Sequence, residues 1–227
     1  MNHDRKIQAV IFDMDGVLTD SELLINEAAI RMFREEGLEV KPEDFLPFVG
    51  AGEQRYIGGV AEKYHLTMDL KTAKARTYEL YLELVPDQLN AFPGATDLVR
   101  TCRSNALLVA VASSADDVKV KANLDKIGLP PAYWDAVVTG EEVRNKKPAQ
   151  DIFIEAAKKL DVFPDECVVV EDAINGVIAA KAAGMSCIAV AHTFPADKLN
   201  QADLVREKIA LVALTDLTKL TLENQLK

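Results

Sequence analysis

Short apolar runs alternate with amphipathic segments along most of the chain. The runs are rich in Val, Ile and Ala, and they predict strands at Ile7–Phe12, Leu107–Ala112, Ala136–Thr139, Cys167–Val170 and Cys187–Val190. Runs without polar alternation are typical of parallel strands that helices cover on both faces. Their alternation with helical segments therefore predicts an α/β fold with a doubly wound parallel sheet.

Helical segments with glycine stops lie between these strands. Residues 115–127 end before Gly128, and residues 173–183 end before Gly184. Glycine just past a helix end readily adopts the left-handed conformation that closes the last turn, so both stops support the helix prediction.

The alternation is interrupted after the first strand. Residues 21–90 show helical patterns without a convincing strand, including a helix at 69–85 that Pro86 is expected to end. We therefore expect a helical cap domain of residues 21–90 inserted into an α/β core of residues 1–20 and 91–227. A single domain with extra helices is the alternative.

Composition limits the class of protein. The chain has 227 residues, of which 49% are hydrophobic and 27% charged, as in globular proteins that bury a sizeable core. Its formal net charge is -10, which repels nucleic acid and anionic membranes. We therefore expect neither as a partner, and the sequence leaves monomer and homodimer open.

The cysteines and the N-terminal residues bear on the cellular compartment of the protein. Cys102, Cys167 and Cys187 are odd in number and lack metal-ligand spacing, which favours free thiols in a reducing compartment. No apolar stretch before Ile7 is long enough for a signal peptide. These features predict a cytoplasmic protein, and import into an organelle with a removed transit peptide stays open as an alternative.

Polar and charged residues follow four of the predicted strands. Open parallel sheets bind ligands beyond the carboxyl ends of their strands, so these loops should converge. They contain Asp13-Met14-Asp15-Gly16, Ser113-Ser114, Lys146-Lys147-Pro148 and Glu171-Asp172. Each alone is equally typical of a helix cap, a turn or a solvated lysine. Caps, however, require neither a lysine nor an acidic pair after the first strand.

These residues meet the needs of phosphoryl transfer. A carboxylate such as Asp13 can attack phosphorus and form an aspartyl-phosphate, provided that a cation lies between the two anions. Mg2+ prefers oxygen ligands and is usually held by few carboxylates. We therefore expect Asp13 and Asp172 as metal ligands, with Glu171 in a supporting position.

The remaining groups suit the other parts of the reaction. Ser113 and Lys147 can supply fixed donors and positive charge to the phosphoryl oxygens. Asp15, two residues after the nucleophile, can protonate the leaving oxygen and later activate water. We therefore expect a phosphate ester as the substrate.

The same residues resemble a known family. Four segments are similar, in order and at suitable spacing, to the four motifs of haloacid dehalogenase superfamily hydrolases, and they contain Asp13-Met14-Asp15-Gly16, Val111-Ala112-Ser113-Ser114, Lys147-Pro148 and Val170-Glu171-Asp172. Within the superfamily the chain looks most like the β-phosphoglucomutase-like branch. The resemblance implies a Rossmann-like core, with a helical cap inserted after the first motif.

The resemblance also implies residue roles and Mg2+ as the cofactor. Asp13 would be the nucleophile and a metal ligand. Asp15 would be the general acid/base, with its backbone carbonyl on the metal. Ser113 and Lys147 would bind the phosphoryl group, and Asp172 would complete the protein ligands of the metal.

Two departures from the branch bear on the reaction type. β-Phosphoglucomutases carry a histidine in the helix after the first motif, where this chain has Ile25, and a cap arginine that grips the distal phosphate, where it has Glu53. Both departures favour a phosphatase, with a sugar phosphate mutase as the alternative. The resemblance implies a small-molecule phosphate ester as the substrate, and small sugar phosphates and phosphoglycolate-like acids both fit the branch. A phospho-accepting signalling domain without turnover is a remote alternative, since it needs neither Asp15 nor a cap.

The glycine-rich segment Gly50–Gly59 is the expected specificity loop, because it lies within the predicted cap. Its candidates for substrate contact are Gly52, Glu53 and Arg55. Arg55 could bind an anionic or hydroxylated group, and it is equally typical of an arginine on a helix surface.

Overall fold

The computed structural model describes residues 6–220, within which six strands form one parallel sheet in the order β3-β2-β1-β4-β5-β6. The predicted doubly wound parallel sheet is confirmed. The strands are Ala9–Phe12 (β1), Leu108–Ala112 (β2), Ala136–Val138 (β3), Cys167–Glu171 (β4), Ser186–Val190 (β5) and Leu204–Arg206 (β6).

Helices cover both faces of this sheet. Val10 and Phe12 of β1 point into an apolar cluster with the helices at 95–104 and 117–126, and Ala9 and Ile11 point into a second cluster with the helices at 151–159 and 174–182. The helices are Glu22–Glu35 (α1), Glu53–Lys63 (α2), Leu70–Gln88 (α3), Ala95–Ser104 (α4), Asp117–Lys126 (α5), Asp151–Lys159 (α6), Ile174–Ala182 (α7) and Leu214–Lys219 (α8). No helix in residues 6–220 is long and apolar enough to cross a membrane.

The strand register brings the loops after β1, β2 and β4 together. Phe12 lies level with Val111 on one side and Val170 on the other. The backbone N–H of Asp13 then donates to the Val170 carbonyl at 3.0 Å. The residues that follow these three strands therefore emerge side by side at the carboxyl edge of the sheet.

Helices α1, α2 and α3 all lie between β1 and β2 in the chain and have an apolar cluster of their own. The two chain segments that lead into and out of these helices run side by side. The Asp20 N–H donates to the Asn90 carbonyl at 3.0 Å, and the Phe92 N–H donates to the Leu18 carbonyl at 3.1 Å. The division into a cap of residues 21–90 and a core stays a prediction, and residues 1–5 and 221–227 of the predicted core lie outside the described range.

Two local expectations are wrong. Residues 53–59 of the expected Gly50–Gly59 loop belong to helix α2. Their glycines allow close packing, since a Cβ added at Gly59 would lie 2.3 Å from the ring of Phe48.

Helix α3 also continues through Pro86 to Gln88, because a proline in the last turn removes only one hydrogen bond from a helix that is about to end.

Strand β6 was not predicted. It is three residues long, lies at the edge of the sheet and is only half-buried. A short edge strand of this kind carries no apolar run that would distinguish it from a loop.

Asp44 joins the 3-10 turn at 42–48 to the end of α2. Its buried carboxylate accepts hydrogen bonds from the Lys63 ammonium, from the Tyr64 hydroxyl at 2.6 Å and from the Lys41 N–H at 2.8 Å. The hydrogen bonds from Lys63 and Tyr64 lower the pKa of Asp44 from 3.8 to about 2.

We expect Asp44→Asn to destabilise the protein by about 1.5–3 kcal/mol, the usual contribution of hydrogen bonds to a charged group. Because the folded-state pKa of Asp44 lies below its unfolded value, its contribution is complete above about pH 4 and is lost as the pH falls towards 2. Thermal unfolding at pH 7 measures the loss. Glu43→Gln, which changes the exposed neighbouring acid, is the control, and equal unfolding temperatures for the two variants would contradict this role of Asp44.

Candidate active site

A cavity lies between the carboxyl ends of the strands and helices α1 and α2. Three buried carboxylates stand at its base, with ligand oxygens within 4.8 Å of one another, and they belong to Asp13, Glu171 and Asp172. Asp13 follows β1 directly, Glu171 is the last residue of β4, and Asp172 comes next. The structure therefore brings together the acids that the sequence analysis assigned to metal binding.

Lys147 supplies positive charge at this base. Its ammonium pairs with the carboxylate of Asp13 and, at 2.6 Å, with that of Glu171. Burial raises the pKa of Asp13, the nearby ammonium of Lys147 opposes the increase and the charge of Glu171 adds to it, which leaves the pKa at about 8. One lysine thus faces three acids, and three ionised carboxylates would leave the cluster with an excess of negative charge.

Glu171 and Asp172 differ in their hydrogen bonding. Oε1 of Glu171 binds Lys147, and Oε2 accepts from the N–H groups of Asp172 and Ala173, each at 2.7 Å. Among residues 6–220, no lysine, arginine or histidine forms an ion pair with Asp172. Burial and then the charges of Glu171 and Asp13 raise the pKa of Asp172.

These donors fit a hard divalent cation. Mg2+ takes oxygen ligands and binds through one or two carboxylates, with other oxygens completing its shell. Asp172 offers a buried carboxylate that no cation of residues 6–220 pairs with, and Asp13 lies beside it. The cluster could therefore hold Mg2+, with Glu171 orienting Lys147 and the Asp172 loop.

Asp15 lies next to the base of the cavity and has its own partners. Its carboxylate accepts from the Ser21 hydroxyl and pairs with the ammonium of Lys119 at 2.9 Å. Lys119 also pairs with Glu53 at 3.1 Å. Sequence reasoning missed Lys119, because a lysine in a helix normally points to solvent. A sequence signal is Asn123, four residues later on the same face of α5 and also buried.

Ser113 and Ser114 both line the cavity. The hydroxyl oxygen of Ser113 accepts from the Ala115 N–H at 3.1 Å and keeps its own proton to donate. The hydroxyl of Ser114 is buried and has no hydrogen-bond partner among the described residues. Ser113 is the predicted phosphate-binding residue, and Ser114 lines the same cavity.

The candidates from the inserted helices divide into two groups. Gly52 and Glu53 line the cavity, and so does Ile25 of α1. Arg55 lies on the solvent side of α2, where it pairs with Glu62 at 2.8 Å and stands over the Phe48 ring at 4.9 Å. The structure does not bring Arg55 to the cavity.

Gly16 lets the loop after β1 pass close to Asp172. Its φ is +80°, and an added Cβ would lie 1.9 Å from Oδ2 of Asp172. His192, which follows β5, fixes this loop from the other side. Its Nδ1 donates to the Gly16 carbonyl at 2.7 Å, its Nε2 accepts from the Ile209 N–H at 3.2 Å, and its ring stacks on Phe92.

A family model for haloacid dehalogenase-like hydrolases matches residues 7–184 of the chain. The chain belongs to this family. The match includes the loops that carry Asp13, Ser113, Lys147 and Asp172. Membership of the superfamily, predicted from the four motifs, is confirmed.

Several named proteins are similar to this chain. The chain is 46% identical over 217 residues to Protein SUPPRESSOR OF QUENCHING 1, chloroplastic, of Arabidopsis thaliana, and the match covers 93% of this chain and 21% of that protein. The chain thus spans about a fifth of the length of that relative. It is 30% identical to Hexitol phosphatase B of Escherichia coli K12, over 96% of this chain and 97% of the relative.

The fold agrees with a solved structure of CbbY from Rhodobacter sphaeroides in complex with phosphate. The two chains share 26% identity and superpose with a TM-score of 0.86, over 93% of this chain and 99% of that one. Names of phosphatases among the relatives confirm the predicted enzyme class, a phosphoric monoester hydrolase. The cytoplasmic location stays a prediction, and so do the residue roles.

We expect His192→Ala to lower stability by about 1–3 kcal/mol, because the Gly16 carbonyl and the Ile209 N–H both lose a partner. Activity should fall as well, since Gly16 directly follows Asp15. Thermal unfolding and turnover of p-nitrophenyl phosphate measure the two effects. His65→Asn, at an exposed histidine with φ of 56°, is the control. Unchanged stability in His192→Ala would show that the imidazole does not fix the loop.

Proposed function

We propose that this hydrolase is a Mg2+-dependent phosphatase that hydrolyses a small phosphorylated metabolite, such as a sugar phosphate, through an aspartyl-phosphate. The observation that carries the proposal is the meeting of Asp13, Asp15 and Lys147 in one cavity, beside Asp172, which has no cation partner in the described part of the chain. The names of relatives add support for the substrate class, since they include Hexitol phosphatase B and a Phosphorylated carbohydrates phosphatase.

In the first half of the proposed reaction, an Oδ of Asp13 attacks phosphorus and a new P–O bond forms. The P–O bond to the leaving group breaks, and Asp15 gives its proton to the departing oxygen. Lys147 and Ser113 donate to the phosphoryl oxygens and keep the group in line with Asp13. Bound Mg2+, held by Asp13, Asp172 and the Asp15 carbonyl, would neutralise charge on those oxygens.

In the second half, Asp15 takes a proton from water, and the water oxygen attacks phosphorus. The bond to Asp13 breaks, which releases phosphate and restores both carboxyl groups. Ile25 of α1 and Glu53 of α2 line the same cavity. We propose that residues 21–90 act as a cap that selects the leaving group and covers the reacting atoms.

A mutase is the second candidate, and the cavity favours hydrolysis over it. A mutase has to bind a phosphorylated intermediate that carries a second phosphate at the far end of its cavity. Here Glu53 stands where a cation would be needed, and Arg55 points to solvent.

We expect Asp13→Asn to reduce kcat for p-nitrophenyl phosphate by about a thousandfold or more, because the nucleophile is lost. Stability should not fall, since burial and the charge of Glu171 both oppose ionisation of Asp13. Phosphate release with and without Mg2+ is the measurement. Asp125→Asn, at an exposed acid on α5, is the control.

Two results would replace the proposal. Interconversion of hexose 1- and 6-phosphates that depends on a bisphosphate activator would assign a mutase. Stable labelling of Asp13 without steady release of phosphate would assign a phospho-accepting signalling domain. Full activity in Asp13→Asn would exclude this residue as the nucleophile.

A further inference from the structure

Lys119 is a buried lysine to which the proposed mechanism gives no role. It lies on α5, is 2% exposed and lines the cavity. Its ammonium pairs with Asp15 at 2.9 Å and with Glu53 at 3.1 Å, and it stands 5.3 Å from the centre of the Tyr81 ring. Burial opposes its charge, but the charges of Asp15 and Glu53 outweigh burial and raise the pKa of Lys119. The ammonium is therefore a fixed positive charge beside the reacting groups.

The carboxylate of Asp15 is held at both of its oxygens. Oδ2 faces the Lys119 ammonium, and Oδ1 accepts from the Ser21 hydroxyl. Among residues 6–220, Lys119 is the one cation that forms an ion pair with Asp15. Each carboxylate oxygen has two lone pairs, so one on each oxygen stays free to take a proton. The arrangement therefore suits a base that keeps its place while it works.

Negative charge collects in the cavity that Asp15 lines. Asp13, Glu171 and Asp172 form its base, and a phosphoryl group bound there adds charge of the same sign. Repulsion from these groups favours rotation of the Asp15 side chain away from the reacting atoms. A displacement of about 1 Å in such a group can cost about a hundredfold in rate. The Lys119 ammonium opposes this displacement, because it attracts the Asp15 carboxylate from a fixed position on α5.

We propose that Lys119 is a positioning residue, which holds the Asp15 carboxylate where it exchanges protons with the leaving group and with water. The inference rests on the proposed phosphatase function and adds a residue to its mechanism. Hydrolysis of the aspartyl-phosphate should depend on Lys119 most, because Asp15 has to activate water in that step for every substrate. The attack of Asp13 on p-nitrophenyl phosphate should depend on it least, since p-nitrophenolate leaves without a proton.

The first test follows the two halves of the reaction in Lys119→Met, which keeps a side chain of similar length and removes its charge. With Mg2+ present, kcat for p-nitrophenyl phosphate should fall by about tenfold to a hundredfold, because the base is misplaced. Rapid mixing should show a burst of about one p-nitrophenolate per folded active site before the slow steady rate, since the phosphoryl group accumulates on Asp13. A merely structural lysine would lower the burst and the steady rate together. Lys121→Met, at an exposed lysine on the same helix, should behave as the wild type.

The second test asks whether Lys119 acts through Asp15. Asp15→Asn should itself give the burst and the slow turnover. Adding Lys119→Met to Asp15→Asn should then change kcat by no more than about twofold, because the effects of residues that act as one unit do not add. A lysine that contacted the substrate directly would lower kcat or raise KM in the Asp15→Asn protein as well.

Folding of the variants is measured beside their turnover. Lys119→Met leaves the buried Glu53 without its cation, which destabilises the protein. Lys119→Met/Glu53→Gln removes both charges and leaves Asp15 without its ion pair in the same way. It should show the same burst, and it decides the question if the single variant does not fold.

The outcomes separate the positioning role from the phosphatase. A wild-type kcat in folded Lys119→Met overturns the positioning role, and so do a burst and a steady rate that fall in the same proportion. A full further loss in the Asp15→Asn protein assigns Lys119 to the substrate instead. Each of these results leaves the phosphatase intact. Absence of Mg2+-dependent phosphate release by the wild-type protein from every ester overturns the phosphatase and the positioning role together.

Discussion

Buried negative charge at the carboxyl edge of the sheet is the constraint on which the structure depends. Asp13, Glu171 and Asp172 stand within a few ångströms of one another, and burial makes their mutual repulsion costly. Lys147 reduces this cost by pairing with two of the three. The pairing requires the parallel register that sets Phe12 level with Val170, so the sheet and the chemistry are specified by the same strand alignment.

A second lysine extends the constraint to the inserted helices. Lys119 is 2% exposed and bridges Asp15, after β1, to Glu53 of α2. Separation of α2 from the sheet would leave the Lys119 ammonium with one partner instead of two. Tyr81 of α3 adds a neutral link to α5, since its hydroxyl donates to Asn123 at 2.8 Å. The position of the helices and the environment of Asp15 therefore change together.

Much of the sheet and the base of the cavity could be predicted, because their sequence signals are local. Strands β1 to β5 are apolar runs, and Asp13 and Asp172 stand next to such runs, where parallel strands collect their ends. Lys119 could not be predicted, since its burial depends on Asp15 and Glu53, which are distant in sequence. The segment around Gly59 was expected to be a loop and is helical. Its glycine allows close packing against Phe48, and this contact exists only in the folded chain.

The identity of residue 53 bears on the reaction type. Transfer between sugar phosphates needs a second phosphate at the far end of the cavity, whereas hydrolysis needs only water after the leaving group departs. A carboxylate at this position, already paired with the Lys119 ammonium, opposes a second phosphate. In the proposed mechanism, the charge at Glu53 therefore leaves water as the acceptor of the phosphoryl group on Asp13.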